Sequence, residues 1–116
     1  MANNIAFQPM GKTIRVLTNA NTANNLTMTA DSPCQQYRIA NHAAQPAYVW
    51  ISPSASPVNV AAPTSNGAGA AYSIVIPPAT VSVITGPQCS SSLAVQVSAI
   101  SENNGPDVYI TPGEGL

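Results

Sequence analysis

Charge is what this chain has least of. Asp, Glu, Lys and Arg together make up 6% of its 116 residues, against about 25% in an ordinary soluble domain. The complete inventory is Lys12, Arg15, Asp31, Arg38, Glu102, Asp107 and Glu114. Three basic residues exclude phosphate-led binding of nucleic acid, which needs clustered Lys and Arg. A folded chain of this size exposes roughly 6,000 Å², so its charges stand about 850 Å² apart, too sparse for repulsion to hold neighbouring copies away. Such a surface is expected to be covered by other protein.

Reactive side chains are nearly as scarce. His42 is the single histidine and Cys34 and Cys89 are the only cysteines, so one thiol with His42 and Asp31 or Asp107 is the one conceivable nucleophilic triad. Glu102 and Asp107 are the one nearby carboxylate pair, and they flank a turn rather than a cleft. One His and two distant Cys do not make a zinc site, and Gly67 and Gly69 lack the strand, helix and Lys of a phosphate-cradling loop. The expectation is a protein without catalytic residues, metal or cofactor. No apolar run approaches the ~20 residues of a membrane span, and Met1 to Met10 has neither the basic start nor the apolar centre of a signal peptide. Synthesis in a cytoplasm without export is therefore expected, with both cysteines as buried free thiols. A bridge between them is the alternative.

What the chain does have is period-two alternation. Ile14 and Val16 oppose Thr13 and Arg15, Tyr37 and Ile39 oppose Gln36 and Arg38, and Ala47, Val49 and Ile51 oppose Tyr48 and Trp50. The stretch from Cys34 to Ser52 reads as a hairpin, two strands joined across Asn41 to Pro46. Further strands are expected at Leu26 to Thr29, at Tyr72 to Ile76, and at Ala79 to Thr85 with an end at Gly86-Pro87. Another is expected at Leu93 to Ile100, where Leu93, Val95, Val97 and Ala99 face inward. The last spans Asp107 to Thr111 and stops before the Pro-Gly-Glu-Gly-Leu tail. No window holds a helical apolar period. These signals predict an all-β fold of about seven or eight short strands, a two-sheet antiparallel sandwich of jelly-roll-like or immunoglobulin-like kind. Residues 1–10 are expected as an extended N-terminal arm and 11–116 as one domain. Residues 52–71 form a long loop dense in Pro, Ser, Ala and Gly, with Val58 and Val60 as a brief edge strand.

Two sets of candidate contact residues follow. Ile5 and Phe7 in the arm and Pro57 and Val58 in the loop are the expected assembly contacts, because neither segment has enough apolar periodicity to order itself. Tyr48, Trp50, Tyr72 and Tyr109 would instead supply an aromatic platform for sugar rings or a host surface.

The Tyr-Arg-Ile-Ala-Asn strand followed by Ala-Tyr-Val-Trp, and the ending Ala-Ile-Ser-Glu-Asn-Asn-Gly-Pro-Asp-Val-Tyr-Ile-Thr-Pro-Gly-Glu-Gly-Leu, resemble small virion proteins of tailed bacteriophages. The resemblance covers about half of the chain and rests on strand and turn patterns. It implies a β-sandwich head-decoration (cement) protein or an accessory protein of the head-to-tail region. Its partners would be copies of itself and capsid, portal or tail components, and its place the virion. It carries no catalytic residue across. The alternative is a carbohydrate- or host-surface-binding module.

Overall fold

The structure is a computed structural model describing residues 7–19, 22–61, 72–101 and 107–114. The described residues form nine strands: β1 (Gln8–Pro9), β2 (Ile14–Leu17), β3 (Asn24–Met28), β4 (Cys34–Asn41), β5 (Ala47–Pro53), β6 (Ile74–Ile76), β7 (Thr80–Cys89), β8 (Val95–Ser101) and β9 (Asp107–Glu114). They form two antiparallel sheets, and no helix occurs among the described residues. One sheet runs β1-β9-β4-β7, with β2 also on β9; the other runs β3-β8-β5-β6. β1 and β2 lie end to end along one edge of β9, pairing with its last and first residues respectively.

Alternation decides what lies between the sheets. Tyr37 and Ile39 of β4, Val108 and Ile110 of β9, Ala47, Val49 and Ile51 of β5, and Val95, Val97 and Ala99 of β8 form one buried cluster with both cysteines. Each of these strands gives every second residue to the interior, as a pleated strand with one covered face must.

Several expectations fail, each for a definable reason. The stretch from Cys34 to Ser52 is not a hairpin: β4 pairs with β7 and β9, whereas β5 pairs with β6 and β8. Its middle crosses from one sheet to the other, so the inward faces of β4 and β5 oppose each other across the core. β7 continues through Gly86-Pro87 to Cys89. It is an edge strand, where a residue without an N–H is tolerated. β9 likewise runs through Pro112-Gly113 to Glu114, because the Pro112 carbonyl still accepts a bond from Met10 N at 2.9 Å. Leu93 is exposed, and the inward alternation of β8 begins only at Val95. Val58 and Val60 form no strand.

The arm differs in part from expectation. Gln8 and Pro9 pair with Glu114 and Gly113, so the last residues of the segment 1–10 belong to the sheet. Ile5 lies outside the described residues, as do 62–71 of the long loop and Glu102.

Candidate functional site

Strand assignment reveals how the few charges are distributed. No Asp, Glu, Lys or Arg occurs from Ile39 to Ser101, and that span supplies β5, β6, β7 and β8. β3 carries none either. The β3-β8-β5-β6 sheet is therefore free of charged residues from edge to edge. Arg15, Arg38, Asp107 and Glu114 lie on β2, β4 and β9 of the other sheet. The uncharged run was legible in the sequence, but only the strand order shows that it builds one whole layer.

The outer face of that layer is a candidate docking surface. Register places Tyr48 between Val75 and Ile100, and Trp50 beside Ser98. Part of the face is covered by the chain itself. Val58 N donates to Ser52 Oγ and Val60 N to Ser98 Oγ, both at 3.0 Å, and Asn25 Nδ2 donates to Asn59 Oδ1 at 2.9 Å. These bonds lay residues 58–60 across the sheet, where Val60, Tyr48 and Ile100 form a second buried cluster against Ala23 and Trp50. The serine hydroxyls thus replace the ladder that the prolines of this segment deny it. Pro57 is exposed and Val58 half-buried on this face. Beyond residues 58–60, Tyr72 is 68% exposed and Val75 also faces solvent; Val81 and Val83 are exposed as well, but on β7 of the other sheet, where Val83 pairs with Arg38.

The four aromatic candidates do not share one surface. Tyr72 stacks on Trp50 with ring centroids 5.2 Å apart at 27°. Tyr48 lies on the same side but is buried under Val60 and Ile100. Tyr109 belongs to the other sheet, where its ring meets His42 edge-on at 5.6 Å and carries the Arg15 guanidinium 5.9 Å above it. Arg15 also pairs with Asp107, and the bond and charge of that carboxylate raise the guanidinium pKa further. His42 sits exposed in this group, whereas Cys34 and Cys89 are inside the core. The structure does not bring the histidine and the thiols together.

Phe7 lies over β9. A Cβ on Gly113 would collide with the Phe7 ring, Cε2 at 2.8 Å, and with the Gln8 carbonyl oxygen. Phe7, Pro9, Gly11, Thr13, Arg38 and Thr111 line an open depression of about 510 Å³ on the outer face of the charged sheet.

Burial sets the thiol chemistry. Cys89 is pushed up to about 11, first by burial and then by Cys34, with the neighbouring Tyr37 hydroxyl opposing the rise; Cys34 is raised by burial and by the Glu114 carboxylate. In the unfolded chain the thiol ionises near 9.0, so above that pH the folded state alone retains the proton. Stability contributed by the protonated thiol is complete below pH ~9 and declines as pH rises towards ~11. Urea denaturation at pH 7, 9 and 10.5 should show a falling midpoint, and Cys89→Ala, measured against its own value at pH 7, should show a smaller fall. No family model matches the chain, and no curated protein and no solved structure matches it.

Proposed function

We propose that this chain is a non-enzymatic structural subunit acting in many copies, a virion protein that decorates or cements the capsid or the head-to-tail region. The observation that carries the reading is the segregation of charge: one sheet, together with the edge strand β7, is built from a span with no charged residue. Taking an ion out of water is costly even when it is paired, and the centres of protein interfaces are depleted of charge accordingly. A layer with no ions can be covered without that cost. The exposed side chains Tyr72 and Val75 supply apolar area to be gained at such a contact. The resemblance of the Cys34–Trp50 and C-terminal segments to tailed-phage virion proteins supports the choice of assembly. The partners are further copies of the chain and capsid, portal or tail components.

Light scattering at high protein concentration and electron microscopy of particles mixed with the protein test the reading. The wild type should be oligomeric or occupy regular sites. Val75→Lys should abolish that assembly while changing fold stability by no more than about 0.5 kcal/mol, since the side chain is at the surface. A wild type that stays monomeric and binds no capsid, portal or tail component refutes the proposal. The Trp50–Tyr72 stack favours a second reading, recognition of sugar rings on a host surface. Under that reading Trp50 emission shifts on adding glycans, and Tyr72→Ala abolishes the shift.

A further inference from the structure

Strand alternation is interrupted in β4 and in β7, and the two interruptions lie opposite each other. In β4, Tyr37 and Ile39 are buried and Arg38 is exposed, so strict alternation would turn Gln35 inward and Cys34 outward. The reverse is found: Gln35 is exposed and Cys34 is 2% exposed. In β7, Val81, Val83 and Thr85 are exposed, and strict alternation would place Cys89 among them. It is 0% exposed.

The ladder shows the same departure. Gln36 pairs with Thr85, from which a regular antiparallel register would set Pro87 against Cys34. A register shift between Cys34 and Gln36 sets Cys89 there instead. Bulges re-aim side chains in this way, and this one is held from inside. The buried Tyr37 donates its hydroxyl proton to the Pro87 carbonyl, and its ring leaves so little room that a Cβ on Gly86 would come within 3.1 Å of Cε2. The bend in β7 is wrapped over Tyr37, and it turns Cys89 into the core opposite Cys34. Directly paired residues of antiparallel strands have Cα atoms roughly 4.5–5.5 Å apart, within the ~4.4–6.8 Å that a disulfide spans. Both thiols are free and buried in one cluster.

We propose that Cys34 and Cys89 are a disulfide-forming pair, reduced where the protein is made and closed into an intramolecular cross-strand bridge by exchange with a small-molecule disulfide such as oxidised glutathione. One protein thiolate attacks the small disulfide, forming a mixed disulfide and expelling one glutathione thiolate. The other protein thiolate attacks the protein sulfur of that mixed disulfide and expels the second. Two protein thiols are oxidised, one glutathione disulfide is reduced to two thiols, and the two protons pass to the departing thiolates. Cys34 is the first residue of β4 and Cys89 the last of β7, and strand ends open at low cost without global unfolding. Such opening gives the oxidant access to thiols that the closed state shields. The bridge then staples the end of an edge strand and closes the chain from 34 to 89. In the chain-entropy model that shifts the folding equilibrium roughly a thousandfold.

The test uses the whole chain, purified anaerobically in excess thiol. It is brought to equilibrium in glutathione buffers of graded reduced-to-oxidised ratio, both from the native state and by refolding from denaturant. Samples are acid-quenched, denatured, alkylated and weighed. The expected result is a single conversion from a doubly alkylated chain to an unalkylated chain lighter by two hydrogens. Its midpoint should be independent of protein concentration, and Tm should rise by roughly 15 °C, reversed by added thiol. Three results overturn the proposal: two alkylatable thiols persisting after refolding in oxidised glutathione, glutathione retained on either cysteine, or cross-linked dimers in place of the internal bridge. Because these readouts come from the wild type, they do not depend on whether a cysteine variant folds.

Discussion

Replacing Asn41 with leucine is expected to remove about 3–5 kcal/mol of stability, a fall of roughly 10–20 °C in Tm. Asn41 ends β4 where the chain leaves one sheet for the other, and it is 1% exposed. Its Nδ2 group donates to the carbonyls of Gln45 at 2.8 Å, Ile76 at 3.2 Å and Pro77 at 3.4 Å, and its Oδ1 accepts from Ala43 N at 3.1 Å. One side chain thus ties the crossing to itself and to the end of β6. Leucine has the same branching and number of side-chain heavy atoms and is bulkier, so the loss is not a cavity. It strands backbone groups in a site that is buried at the Ile76 carbonyl and partly buried at the others, and a stranded buried group costs about 1–3 kcal/mol. Urea denaturation is the measurement: the midpoint should drop while the dependence on denaturant stays constant. A loss under about 1 kcal/mol would mean that the crossing is held by the packing of β4 and β5 alone.

Asn41 also marks the limit of what alternation discloses. The pattern in Tyr37, Ile39, Val49 and Ile51 assigns each of these residues correctly to the interior. It is equally compatible with a hairpin and with a crossing between layers, because period two says which face is covered and not which strand lies alongside. The amide that selects the crossing binds carbonyls at Gln45, Ile76 and Pro77, and no local pattern announces the two on the far side of the long loop. Proline misleads in a related manner. Pro87 and Pro112 each lack a donor, yet one lies on a sheet edge and the other uses its carbonyl, so neither ends its strand. The charge-free layer was visible as an uncharged run and became a surface only when four strands proved to share a sheet. The aromatic set shows the converse: Tyr48, Trp50, Tyr72 and Tyr109 are distributed over two sheets and two degrees of burial, which side-chain type alone does not foretell.

Gly113→Ala is expected to detach the arm from the sheet. The added methyl would meet the Gln8 carbonyl oxygen and the Phe7 ring, and a backbone oxygen cannot move aside as a flexible side chain does. Either β9 bends or β1 leaves, and β9 is held by β4 and β2 along its length. β1 has only Gln8 and Pro9 paired, so it leaves. The loss is then capped by what docking contributed, the pairing of Gln8 and Pro9 and the cover of a half-buried Phe7, about 2–3 kcal/mol in all. Deleting residues 2–9 removes those same interactions and should cost a similar amount while the sandwich stays folded. The double change is the sharper measurement. With the arm gone, a methyl at position 113 meets neither Phe7 nor Gln8, so the two losses should fail to add and the double variant should melt with the deletion alone. Full additivity would show that the methyl strains β9 itself and that the arm is not what it displaces. If the arm also serves assembly, Gly113→Ala separates the two roles: it frees Phe7 without removing it, so a particle that still binds Gly113→Ala but not the deletion takes its contact from the arm.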